Sequence, residues 1–217
     1  MKYAFYLSKN GTRYIKALQR NILSQNNTAF ALVDSFDTPK LRQICKDKMI
    51  PLYQYSYEKE GLQGKERNDF ISNIFLELLN RYACSHAFIL GGRLLLQGRI
   101  LVEYDKKIIN FHPSILPSYK GEFKAIDTAL KDNVMLLGNT AHFVNVEADG
   151  GIMIMQSMIA AREFAGYDSV LDLQLPMLKQ IIGWLEQERF FFDDNGKFFI
   201  RDAKYDIGQF VPNLEMK

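Results

Sequence analysis

Short apolar segments alternate with amphipathic segments over the first half of the chain. The apolar segments lie at residues 3–7, 28–34, 50–53, 86–90 and 108–112. Between them, apolar positions recur every three or four residues, which predicts helices that begin near Thr12, at Thr38-Pro39 and from Asp69. Thr12 and Thr38 are candidate N-caps, and Pro39 suits a first helical position. Buried strands that alternate with such helices predict an α/β, Rossmann-like, mostly parallel sheet with helices on both faces.

The pattern changes in the second half of the chain. Residues 138–145 and 152–159 predict two antiparallel strands, and residues 168–188 predict a long helix with a kink at Pro176. Aromatic runs then flank Asn195-Gly196, a dipeptide that favours a β-hairpin. We therefore expect antiparallel strands late in the chain and a C-terminal hairpin.

Composition and charge narrow the class of protein. The 217 residues are 47% hydrophobic and 24% charged, which excludes intrinsic disorder. Lys and Arg exceed Asp and Glu by 27 − 25, so the net charge of +2 does not favour a nucleic-acid partner. No apolar run approaches the roughly 20 residues that cross a bilayer. The isolated Cys45 and Cys84 form no zinc motif, and we expect a cytoplasmic protein with no membrane or metal partner.

The most informative chemistry lies at the end of the fifth predicted strand. Asn110 and His112 are two residues apart, so their side chains point to the same face, and Asp149 follows in a glycine-rich turn. An amide and a charged imidazole can stabilise an oxyanion, and a carboxylate can hold that charge and move protons. Alternatively, His112 caps a strand and Asp149 is a plain turn residue. Ser114 lacks the surroundings of a nucleophilic serine.

Several segments around this site form a recognisable set: NFHPSILPSYKG at residues 110–121, GNTAHFV at 138–144, DGG at 149–151, and Ile154 with Gln156. Together they resemble the glycinamide ribonucleotide formyltransferase superfamily. The N-terminal LSKNGTRY and the C-terminal hairpin extend the resemblance over nearly the whole chain. It implies one formyltransferase domain over residues 1–217, with a Rossmann-like half (1–105), a catalytic and folate-binding segment (106–160), and a C-terminal helix and hairpin (161–217).

The resemblance implies formyl transfer from 10-formyltetrahydrofolate to a primary amine, without a metal. The family's catalytic set falls on Asn110, His112 and Asp149. Thr140 would support His112, whereas His142 fits a structural role. The implied folate-binding residues are Gly92, Leu94, Leu95, Leu96, Val146, Glu147, Ala148 and Gly150, although the three leucines suit a hydrophobic core equally well. The implied phosphate-binding residues of the acceptor site are Lys9, Asn10, Gly11, Thr12 and Arg13.

The sequence departs from the family where the acceptor is contacted. Counting back from the hairpin places Leu171 and Gln174 where the glycinamide ribonucleotide enzymes have Lys and Glu. Glycinamide ribonucleotide, a phosphate-bearing amine, remains the first hypothesis for the acceptor. A 4-amino-4,6-dideoxy sugar nucleotide is the second, and a non-catalytic folate- or nucleotide-binding protein is the third. The aromatic hairpin would cover a base, pair subunits in a homodimer, or simply pack in the core.

Overall fold

The computed structural model describes residues 1–8, 10–34, 38–55, 60–91, 95–206 and 208–215. They form two compact units. The first unit contains Met1–Phe111 and Phe143–Gly151, and the second contains His112–His142 and Ile152–Lys217. Within the described ranges, no helix combines the length and apolar character that membrane crossing requires.

Parallel strands form the sheet of the first unit. The strands are β1 (Tyr3–Leu7), β2 (Thr28–Val33), β3 (Leu52–Gln54), β4 (His86–Leu90) and β5 (Ile108–His112). They lie in the order β5-β4-β1-β2-β3, and each neighbouring pair is parallel. The helices between them are α1 (Thr12–Gln19), α2 (Pro39–Asp47), α3 (Gly64–Arg81) and α4 (Ile100–Glu103). The predicted mostly parallel α/β fold is confirmed.

Helices cover both faces of this sheet. Phe5 of β1 packs its ring 5.1 Å from that of Tyr14 in α1, and the next residue, Tyr6, lies 5.9 Å from Phe75 in α3. Successive side chains of a strand point to opposite faces, so α1 and α3 lie on opposite sides. All four rings are almost fully buried. The burial of these large aromatic side chains stabilises the unit that carries the strand ends.

The second unit contains the antiparallel part of the fold. Its strands are β6 (Leu136–Phe143), β7 (Met153–Ala160), β8 (Phe190–Phe192), β9 (Phe198–Ile200) and β10 (Phe210–Val211). Its helices are α5 (Ala125–Lys131), α6 (Tyr167–Leu171) and α7 (Gln174–Glu186). β7 pairs antiparallel with both β6 and β10, and β8 pairs with β9 as a separate hairpin. The predicted late antiparallel strands and hairpin are confirmed.

The structure corrects two local predictions about helices. The single helix predicted over residues 168–188 is two helices, and Pro176 is the third residue of α7. Proline is tolerated in a first turn because its missing N–H has no partner there, so the chain begins a new helix instead of kinking an old one. Thr12 is the first residue of α1 and not its cap. Gly11 precedes it with φ 59°, a left-handed conformation that suits glycine.

Candidate active site

The carboxyl ends of β1 and β4 form the place in the first unit where a ligand is expected. The two strands are neighbours, with Leu7 opposite Leu90. In the sheet, β2 and then β3 follow on one side of β1, whereas β4 and then β5 lie on the other side of β1. Open α/β sheets bind ligands at such a reversal of strand order. The loop before α1 and the residue after β4 therefore occupy a favourable position for a substrate.

Arg13 occupies this reversal point. A Cβ atom added to Gly91 would overlap Nη2 of Arg13 and would lie 3.1 Å from Oγ of Ser8. Gly91 also has φ +90°, which disfavours any side chain. Glycine thus lets the guanidinium lie directly against the end of β4. Asn10, Gly11 and Thr12 lead into the same helix start, whereas Lys9 lies outside the described residues.

Asn110 and Asp149 are joined by a hydrogen bond in the first unit. Nδ2 of Asn110 donates to Oδ1 of Asp149 at 3.2 Å. The loop that carries Asp149 is tied to β5, because the N–H of Val144 donates to the carbonyl of Ile108 at 2.8 Å. Asp149 adopts φ 49°, which aspartate tolerates better than most side chains. The hydrogen bond fixes the rotation of the Asn110 amide, which carries a second N–H.

His112 ends β5 and is buried in the second unit. It is 5% exposed, and its Nε2 lies 3.0 Å from the carbonyl oxygen of Tyr119. Because His112 follows Asn110 by two strand positions, the two side chains leave β5 on the same face. The catalytic role of this pair stays a prediction.

Thr140 anchors the segment that follows His112. Its hydroxyl donates to the carbonyl of Ser114 at 2.7 Å and accepts from the N–H of Leu116 at 3.0 Å. Gln156 donates to the same hydroxyl at 2.9 Å and to the carbonyl of Leu116 at 3.0 Å. The sequence resemblance includes Gln156 but implies no role for it. Gln156 is partly buried, and a polar side chain within an otherwise apolar strand was the available signal.

The implied folate-binding residues have different surroundings in the first unit. Leu95 is half exposed, whereas Leu96 belongs to the buried core around α3 and α4. Val146 and Glu147 are exposed, and Ala148 and Gly150 are partly buried in the Asp149 loop. Gly92 and Leu94 lie outside the described residues. Among the residues that the structure describes, no three His, Cys, Asp or Glu side chains are grouped to hold a metal ion.

Gln174 lies in the interior of the second unit. It is 1% exposed, and its Nε2 donates to Oδ1 of Asn139 at 2.8 Å. The amide of Asn139 donates in turn to Ser157 and to the carbonyl of Val170. Leu171 packs against a hydrophobic cluster of the same unit that contains Ile126, Leu137 and Val170. Neither Leu171 nor Gln174 therefore carries a charge to an acceptor.

Comparison with known proteins identifies the family. The formyl transferase family matches residues 1–170. Phosphoribosylglycinamide formyltransferase of Bacillus subtilis is 26% identical over 162 residues, which are 75% of this chain and 80% of that protein. Formyltetrahydrofolate deformylase of Haemophilus influenzae is 30% identical over 119 residues, 55% of this chain and 40% of that protein.

A solved structure shows the same fold. Glycinamide ribonucleotide transformylase 1 of Symbiobacterium toebii superposes with a TM-score of 0.76 at 20% identity, over 93% of this chain and 95% of that one. Because the family match covers most of the sequence, the chain belongs to the formyl transferase family. The resemblance inferred from the sequence is confirmed, and so is the prediction of a formyltransferase enzyme.

Proposed function

We propose that this chain transfers the formyl group of 10-formyltetrahydrofolate to the primary amine of a phosphate-bearing acceptor, glycinamide ribonucleotide. The hydrogen bond between Asn110 and Asp149, at the end of the strand that carries His112, supports the proposal most directly. These are the three side chains to which the resemblance assigns formyl transfer. Similarity to phosphoribosylglycinamide formyltransferase of Bacillus subtilis supports the choice of acceptor.

The proposed reaction is direct attack of a neutral amine on the formyl carbon. The new C–N bond forms while the formyl oxygen gains negative charge. The second N–H of Asn110 and the imidazolium of His112 stabilise that oxyanion through hydrogen bonds. The C–N10 bond then breaks, the carbonyl forms again, and the proton lost by the amine ends on the folate nitrogen. Asp149 favours the charged imidazole and takes part in this proton movement.

The acceptor phosphate belongs, in this proposal, at the start of α1. The N-terminus of a helix presents unpaired N–H groups and a partial positive charge that attract anions. Arg13 in the first turn adds a guanidinium at the carboxyl end of β4. This position is the strand-order reversal where the fold binds ligands. A phosphate is the anion class that best suits both donors.

A second acceptor is favoured by the interior position of Gln174. The charged acceptor contacts that the resemblance implies are absent at positions 171 and 174, because one side chain is apolar and the other is bonded to Asn139. In a nucleotide-linked 4-amino-4,6-dideoxy sugar, the group next to the amine differs from that in glycinamide ribonucleotide. This acceptor would therefore not need those charged contacts. Its pyrophosphate would use Arg13 as the monophosphate does.

An acceptor screen tests the proposal. Release of tetrahydrofolate from 10-formyltetrahydrofolate is followed with glycinamide ribonucleotide, with an amino-sugar nucleotide, and with no amine. Turnover with glycinamide ribonucleotide alone supports the first acceptor, and turnover with the sugar alone supports the second. Equal release without an amine shows hydrolysis, the reaction named for the Haemophilus influenzae relative, and contradicts amine transfer. His112→Asn is the inactive control in every arm.

A further inference from the structure

The carbonyl of Tyr119 determines which ring nitrogen of His112 carries the proton. Nε2 of His112 lies 3.0 Å from this oxygen, which can only accept a hydrogen bond. The N–H of Glu122 donates to the same oxygen at 3.2 Å, so both of its lone pairs have donors. Nε2 must therefore be the protonated nitrogen. In the neutral ring, Nδ1 then holds the lone pair.

The backbone of Tyr119 is held in an unusual conformation that aims this carbonyl. Tyr119 has φ 59°, which is an outlier for a bulky side chain. Its phenol donates to Oδ2 of Asp132 at 2.9 Å, directly after α5. The preceding residues are fixed as well, since Oγ of Ser114 donates to the carbonyl of Ser118 at 2.7 Å. Such outliers persist where the surroundings impose them, and they cluster at functional sites.

We infer that Tyr119 is a positioning residue that fixes His112 in its Nε2–H tautomer, so that Nδ1 is the nitrogen that exchanges its proton during the reaction. When His112 is charged, Nδ1–H donates to the oxyanion. Any proton that it passes to the oxyanion returns when the carbonyl forms again, and the ring ends unchanged. The catalytic consequence rests on the proposed function, whereas the tautomer is a property of the unliganded protein.

Nitrogen-15 NMR of histidine-labelled full-length protein tests the tautomer without any substrate. The chain has three histidines, and His112→Asn identifies the signals of His112 by their loss. We expect the neutral ring to show a protonated Nε2 and an unprotonated Nδ1. A proton on Nδ1, or a mixture of both tautomers, would overturn the inference. If the tautomer is as expected but no amine is formylated, only the proposed function fails.

Two substitutions distinguish the effect of the Tyr119 carbonyl from the effect of its side chain. Both Tyr119→Asn and Tyr119→Val remove the ring and its bond to Asp132. Asparagine tolerates a positive φ, whereas a β-branched valine does not and should turn the carbonyl away. We expect the Asn variant to keep the Nε2–H tautomer, and the Val variant to lose it. The kcat of the Val variant should be about tenfold or more below that of the Asn variant, with KM for the folate unchanged.

A matched control removes a similar hydrogen bond between a tyrosine and an aspartate, this time with the aspartate in α5. The phenol of Tyr167 donates to Asp127, so Tyr167→Phe breaks a Tyr–Asp hydrogen bond of the same unit. It should leave both the His112 tautomer and kcat unchanged. Equal effects of Tyr119→Asn and Tyr119→Val on the tautomer and on kcat would show that Tyr119 acts through its side chain and would overturn the inference.

Discussion

The amide of Asn110 donates a hydrogen bond to Asp149 at 3.2 Å, although 39 residues separate them in the chain. This bond constrains both side chains. It fixes the rotation of the Asn110 amide, and it gives one oxygen of the Asp149 carboxylate a hydrogen-bond donor. An asparagine without such a partner would present either its oxygen or its nitrogen to the substrate. An oxyanion accepts only from the nitrogen. The pairing thus fixes, before any substrate binds, the orientation of the amide that the proposed oxyanion contact needs.

Asn110→Ala should abolish most formyl transfer without unfolding the chain. Loss of one oxyanion donor typically lowers kcat by about 10²–10³-fold. Steady-state kinetics with the acceptor from the screen, together with a thermal unfolding curve, measures both effects. Asn80→Ala is the control, since it removes an exposed amide of α3 that donates to Glu103. Near wild-type turnover in a folded Asn110→Ala protein would contradict the mechanism.

Asp149→Asn should change the pH dependence as well as the rate. In the proposed mechanism, the rate should rise with pH as the acceptor amine loses its proton, and it should fall when His112 loses the charge that stabilises the oxyanion. In that mechanism the charge of Asp149 favours the imidazolium, so removing it should move the alkaline limb to lower pH. The variant keeps the size of the side chain. A full pH profile of kcat measures the limb, and an unchanged limb with a lower maximum would show that Asp149 acts only in proton transfer or loop positioning.

The strand that carries Asn110 and His112 was predictable because its pattern is local. An apolar run ending at Pro113 defines β5, and residues two apart in a strand share a face. The bond from Asn110 to Asp149 was not predictable from spacing, because it depends on how residues 144–151 return to β5. The role of Tyr119 left no signal in the sequence, since any residue type supplies a carbonyl. Only its backbone conformation distinguishes it.

Helix ends were predicted less well than strand cores. α3 begins at Gly64, five residues before the Asp69 at which the apolar periodicity starts. Its first turn is polar, and periodicity does not detect an exposed turn. The break between α6 and α7 was likewise hidden, because the apolar pattern continues through Leu171 and Leu175.

Thr140→Val should destabilise the protein by about 2 kcal/mol, because it leaves buried polar groups without partners. The hydroxyl serves Ser114, Leu116 and Gln156, and Thr140 itself is fully buried. Thr140→Ser keeps the hydroxyl and should recover most of that loss. Chemical denaturation at neutral pH measures the free energy of unfolding. Equal stabilities of the Val and Ser variants would contradict this role of the hydroxyl.

His86 should make the protein lose stability as the pH falls below neutrality. Burial, together with the charge of Lys107, lowers the pKa of His86 to about 4. Its Nδ1 is buried and makes no hydrogen bond among the described residues. In the unfolded chain a histidine has a pKa near 6.5. Between about pH 6.5 and pH 4 the unfolded state therefore binds a proton that the folded state does not, and the free energy of unfolding falls.

The expected loss from His86 is on the order of 3 kcal/mol across this interval, from the difference between the two pKa values. His86→Gln cannot take up the proton, so its free energy of unfolding should fall less than that of the wild type between pH 7 and pH 4. Lys107→Gln removes the smaller cause of the shift and should reduce the loss only slightly. Urea unfolding at pH 7, 6, 5 and 4 measures all three proteins. A constant difference between wild type and His86→Gln over this range would show that His86 takes up its proton equally in the folded and unfolded states.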